Sequence, residues 1–126
     1  MTPKILTVDD SRIVRMLITR ALQGYDCLIV EATNGEEGLA AALLEKPDLI
    51  LLDVTMPVMD GFELLARLRQ ESDLAKVPII MLTAESSQES VARADGLGVS
   101  GYVAKPFKEE ELRDRINAII PLSAKS

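Results

Sequence analysis

The sequence predicts one α/β domain built on a five-stranded parallel sheet with helices on both faces. Five short apolar runs alternate with stretches of helical periodicity, which calls for strand–helix–strand crossovers rather than hairpins. The third run, DLILLD (48–53), is apolar without alternation, as a strand covered on both faces must be. Acceptor residues with a Glu three positions later stand ahead of several helical stretches, the spacing of a capping box.

KILTV (4–8) reads as the first buried strand. SRIVRMLITRALQ (11–23) follows, with Val14, Leu17, Ile18 and Ala21 on one helical face. CLIVEA (27–32) is the second strand, and Asn34 with Glu37 opens the helix GEEGLAAALLE, beyond which stands Pro47. After DLILLD, Asp60 and Glu63 cap the helix containing FELLARLRQ. VPIIML (77–82) is the fourth strand, and Ser86 with Glu89 caps a fourth helix. GYVA (101–104) is a short fifth strand, and EEELRDRINAII (109–120) is the fifth helix, with Leu112, Ile116 and Ile119 inward. Residues 1–122 are assigned to the domain, and 123–126 to a C-terminal tail or the start of a linker.

At 126 residues the chain is long enough to bury a core, and no apolar stretch is long enough to span a bilayer. The N-terminus lacks the layout of a secretion signal and Cys27 is the single cysteine, so a cytoplasmic protein is expected. The net charge is −6 and the cations are scattered, which argues against direct nucleic-acid binding and for protein or small-ion partners. There is no histidine, which excludes imidazole bases, serine triads and most catalytic zinc sites.

In parallel sheets ligands bind beyond the carboxyl ends of the strands. The residues there are Asp9, Asp10, Glu31, Asp53, Thr83 and Lys105. With Glu31 set aside, they suit phosphoryl transfer. Clustered carboxylates need a cation, and an all-oxygen site with room for water suits Mg²⁺. Asp53, ionised at neutral pH, can attack phosphorus without a base. Lys105 offers a fixed positive charge and Thr83 a hydroxyl donor to the phosphoryl oxygens. Taken singly, each residue has a structural explanation: a cap, a turn, an exposed loop cation, a strand end. A calcium loop is rejected for TMPVMDG because the alternating oxygen ligands are absent. The coincidence of the strand ends is what points to chemistry.

VDDS (8–11), LLDVTMPVMDG (51–61), MLTA (81–84) and YVAKPF (102–107), in that order, resemble the signatures of response-regulator receiver domains, the phosphoacceptor modules of two-component signalling. The resemblance spans roughly residues 4–120 and implies a flavodoxin-like (βα)5 fold with strand order 2-1-3-4-5. It implies that Asp53 takes a phosphoryl group from a histidine kinase or histidine phosphotransfer protein. Asp10, Asp53 and the carbonyl of Thr55 would hold Mg²⁺ directly, with Asp9 assisting through water. Thr83 and Tyr102 would be the switch pair, Lys105 would bind only the phosphoryl group, and Lys105–Pro106 would be a cis peptide. The implied protein is not an enzyme but a monomeric phosphoacceptor that assists its own phosphorylation and dephosphorylation. Its output partner would read the face of the fourth helix, fifth strand and fifth helix.

Lys108 departs from the pattern, because it stands where the fifth helix needs a cap and lysine cannot accept a hydrogen bond. Thr55 and Glu85 occupy positions that tune water access to the acyl phosphate in that family. A flavin module would need a phosphate loop where DDSRIVR stands, and a Mg²⁺-dependent Asp-nucleophile phosphatase would need a second acid where Val54 and Thr55 stand. A stand-alone chemotaxis-type protein is expected; the alternative is a receiver domain excised from a larger regulator or hybrid kinase.

Overall fold

The computed structural model describes residues 2–53, 59–83, 96 and 98–124. Its strands are β1 (Lys4–Val8), β2 (Leu28–Ala32), β3 (Leu49–Asp53), β4 (Ile79–Thr83) and β5 (Gly101–Ala104). Helices α1 (Arg12–Ala21), α2 (Gly35–Glu45) and α3 (Gly61–Gln70) separate the first four strands, and a C-terminal helix covers Glu109–Asn117. The helix expected from Ser86 and Glu89, together with Glu85, lies outside the described residues. All strand pairs are parallel and the order is β2-β1-β3-β4-β5, as the resemblance implies.

The unbroken apolar runs follow from burial on both faces. Leu6, Val8, Ile50, Leu52, Ile79 and Met81 point into a core under α2 and α3. Ile5, Leu49, Leu51, Ile80 and Leu82 point the other way, toward Ile18 of α1 and Leu112 and Ile116 of the C-terminal helix. One polar residue interrupts this pattern. Thr7 in β1 is fully buried, and its hydroxyl has no hydrogen-bond partner among the described residues. An orphaned buried hydroxyl costs stability while a methyl of similar shape does not, so Thr7→Val is expected to stabilise the fold by about 1 kcal/mol in urea denaturation.

The expected cap acceptors are in place at the starts of α2 and α3, with one variation at α2. Asn34 Oδ1 accepts the Glu37 N–H at 2.9 Å, but the Glu37 carboxylate reaches one residue further back, to the N–H and hydroxyl of Thr33. These bonds hold the Glu37 pKa below the usual carboxylate value, the backbone bond being the larger cause. Asp60 Oδ1 accepts the Glu63 N–H at 2.8 Å, and Lys108 makes no side-chain cap. The C-terminal helix ends at Asn117 rather than Ile120; Ile119 and Ile120 still donate to the Ile116 carbonyl as the chain turns. Ser123 and Ala124 lie beside Asp26 and Tyr25, with the Asp26 N–H 2.8 Å from the Ser123 carbonyl. Leu17 departs from the expected α1 face: Ile18 and Ala21 are buried, but Leu17 is 37% exposed.

Close packing of α2 sets the neighbourhood of the acidic strand ends. A Cβ added at Gly35 would fall 2.5 Å from Met59 Cβ and 2.6 Å from the Met59 carbonyl oxygen. Only glycine lets the first turn of α2 lie against the chain ahead of α3. Gly35→Ala is expected to cost about 1–3 kcal/mol in thermal unfolding, because backbone rather than a flexible side chain must yield.

Candidate functional site

The register of the sheet gathers the acids. Val8 pairs with Leu52, so the residues that follow, Asp9 and Asp53, emerge side by side at the carboxyl edge. Strand order reverses around β1 at this point, the place where open α/β sheets form their binding crevice. Asp9, Asp10 and Asp53 each bring a carboxylate oxygen within 4.8 Å of the others. Asp9 is 1% and Asp53 5% exposed, whereas Asp10 faces solvent. The cluster is thus buried on two sides and open on the third.

Lys105 reaches this cluster from the end of β5. Its N–H donates to the Thr83 carbonyl at 2.8 Å, tying it to the end of β4, and the Lys105–Pro106 peptide is cis. The ammonium is 2.9 Å from Asp9 Oδ2 and 2.9 Å from Asp53 Oδ1. It is thus an internal counter-ion to two carboxylates, a contact that the expected role toward a phosphoryl group did not include. The reason is desolvation, since two nearly buried carboxylates side by side are stabilised by a cation between them. Burial pulls the Lys105 pKa down, but the hydrogen bonds and charges of Asp53 and Asp9 together outweigh it, and it lies above the usual lysine value.

Asp9 is held at every polar atom. Its N–H donates to the Ala32 carbonyl at 3.1 Å, Oδ1 accepts the Ser11 N–H at 2.8 Å, and Oδ2 accepts from Lys105. Its carbonyl accepts from Arg15 Nη1 at 2.6 Å, while Arg15 Nε donates to Glu31 Oε1 at 3.0 Å. Sequence reasoning set Glu31 aside and did not single out Arg15. The signal was partial: Glu31 stands at a strand end, but the contact joins α1 to β2 and is not visible in spacing.

Thr83 ends β4, is 7% exposed, and sits at the same edge of the sheet. Tyr102 lies in β5 opposite Met81, half-buried against the core under α2 and α3. Thr55 lies outside the described residues. The donor set suits a hard divalent cation: all oxygens, three carboxylates against one ammonium, and one carboxylate open to solvent.

Among the described residues no helix is long and apolar enough to cross a membrane. The response regulator receiver domain family matches residues 5–117. The alkaline phosphatase synthesis transcriptional regulatory protein PhoP of Bacillus subtilis is 41% identical over 122 residues, 95% of this chain and 49% of its own length. The phosphate regulon transcriptional regulatory protein PhoB of Pseudomonas aeruginosa is 40% identical over 118 residues, 92% of this chain and 51% of its own. The chain thus spans about half the length of these curated relatives. The chemotaxis response regulator CheY4 of Vibrio cholerae superimposes with a TM-score of 0.90 at 36% identity, covering 95% of this chain and all of that one. A family match over nearly the whole sheet and these relatives agree with the fold and the clustered acids: this chain belongs to the response regulator receiver domain family.

Proposed function

We propose that the protein is a phosphorylation switch whose Asp53 takes a phosphoryl group from a histidine kinase or histidine phosphotransfer protein. The observation that carries this reading is the meeting of Asp9, Asp10 and Asp53 within 4.8 Å with the Lys105 ammonium 2.9 Å from Asp53. An Asp53 carboxylate oxygen attacks phosphorus, the bond to the donor's imidazole nitrogen breaks, and its electron pair returns to the ring. Lys105 follows the charge that develops on the phosphoryl oxygens, and the Thr83 hydroxyl donates to one of them. Asp10, Asp53 and the Thr55 carbonyl would hold Mg²⁺, with Asp9 acting through water. When bound, the ion neutralises charge on the incoming group.

The donor must reach Asp53 from the strand-end side. A cavity of about 330 Å³ bounded by Val14, Leu17, Lys105, Pro106 and Phe107 shares Lys105 with the site, and Ile13 and Met16 stand exposed on the same helix. Output follows from Thr83 and Tyr102: drawing the Thr83 hydroxyl toward a phosphoryl group makes room for the Tyr102 ring. The face expected from β5, the C-terminal helix and the predicted fourth helix then changes shape for a protein partner. A second reading, a receiver domain working within a longer regulator, is favoured by the double length of PhoP and PhoB, both transcriptional regulatory proteins.

Acetyl phosphate with Mg²⁺ tests the acceptor. The expected adduct is one phosphoryl mass, labile to hydroxylamine, mapped to Asp53 and absent in Asp53→Asn. Phosphate on a serine, a threonine or another aspartate of the wild-type protein would sink the assignment.

A further inference from the structure

We infer that Arg15 and Glu31 are positioning residues for the cation site: Arg15 fixes the peptide between Asp9 and Asp10, and Glu31 keeps Arg15 aimed at it. The inference rests on the Mg²⁺ reading above for its consequence, but on geometry for its content. Asp10 is exposed, so packing does not fix where its carboxylate points. What sets the direction in which it leaves the backbone is the plane of the preceding peptide, whose oxygen is the Asp9 carbonyl held by Arg15 Nη1 at 2.6 Å. Arg15 lies one turn into α1, reaches back over the start of its own helix, and is only 13% exposed. Its Nε edge is tied at 3.0 Å to Glu31, the second-last residue of β2. Because β2 is the edge strand beside β1, the pair braces the loop that carries both aspartates from outside the sheet.

Charge and geometry make opposite demands here. A guanidinium bound to the backbone between two of the acidic residues repels a divalent cation, so on electrostatics alone its removal tightens Mg²⁺ binding. As a positioning residue its removal weakens binding, as loss of the groups that orient metal ligands does elsewhere. The sign of the change therefore separates the two roles, and a merely structural role changes melting temperature with no change in affinity.

The test is a Mg²⁺ titration of the whole chain, followed calorimetrically and by the amide resonances of Asp10 and Ser11. Arg15→Met is expected to weaken binding about tenfold. Arg15→Lys, which keeps the charge but cannot span the carbonyl and Glu31 together, is expected to stay weakened. Glu31→Gln keeps the acceptor for Arg15 and is expected to bind as wild type, while Glu31→Leu weakens binding and serves if Arg15→Met does not fold. Residual dipolar couplings of the Asp10 N–H in the metal-free protein read the peptide plane itself. They should change in Arg15→Met and Glu31→Leu and hold in Glu31→Gln. Wild-type affinity or tighter binding in Arg15→Met, or an unmoved Asp10 N–H in both disruptive variants, would overturn the inference. Absence of Mg²⁺ binding by the wild type would overturn the cation reading instead, with the dipolar couplings still deciding whether the brace exists.

Discussion

Lys105→Met is expected to lower stability at neutral pH by about 3 kcal/mol, seen as a fall in melting temperature of about 10 °C. The methionine keeps most of the stem, so the loss is electrostatic: Asp53 and Asp9 are left nearly buried without the ammonium that lies 2.9 Å from each. Mg²⁺ should recover much of this loss, and its stabilising effect should be larger in the variant than in the wild type, because the internal cation no longer competes for the same oxygens. The pH dependence has a definite sign. The Lys105 pKa is raised in the folded state, so its contribution is complete below the unfolded value and is lost as pH rises through the raised folded value. Thermal scans of both proteins from neutral to alkaline pH should therefore converge at high pH. Equal melting temperatures at neutral pH would show that the bridge does not stabilise the fold.

Mg²⁺ itself is expected to stabilise the wild type by about 2.7 kcal/mol when present at a hundred times its dissociation constant. Asp10→Ala should lose most of that gain. Asp10 is the exposed member of the cluster, so its removal costs little packing and removes a like charge from beside Asp9 and Asp53. The variant should consequently match or exceed the wild type without Mg²⁺ and fall behind it with Mg²⁺. A melting curve for the wild type that ignores Mg²⁺ at moderate ionic strength would count against the cation site.

Much of the scaffold was legible because its causes are local. Apolar runs marked the strands, and Asn34 and Asp60 marked the starts of α2 and α3, since a cap acts over three residues. Lysine at 108 was enough to foresee an uncapped helix. The strand order was not a local property and came from family resemblance. Within the site, residue types at strand ends indicated which groups would gather, but not how they would pair. Lys105 meets Asp9 across a separation of 96 residues, and its role as counter-ion depends on how deeply both acids are buried. Glu31 was set aside and Arg15 not singled out for the same reason: one projects from β2 and the other from α1, and only the folded chain brings them together. Leu17 fitted the helical period of α1 but lies at the edge of its buried stripe, a margin that periodicity does not resolve.

The most direct test of the switch is an amide NMR comparison of the Mg²⁺-bound protein before and after addition of beryllofluoride, which mimics the phosphoryl group. Moving a two-state equilibrium from mostly inactive to mostly active takes about 5 kcal/mol, within reach of a few charge-assisted hydrogen bonds from Lys105, Thr83 and backbone N–H groups. Perturbations should start at Asp53, pass through Thr83 to Tyr102, and extend over residues 86–120. Perturbations confined to the loops carrying Asp9, Asp10 and Asp53 would contradict the account, for they would mean that the site is occupied and the output face does not respond.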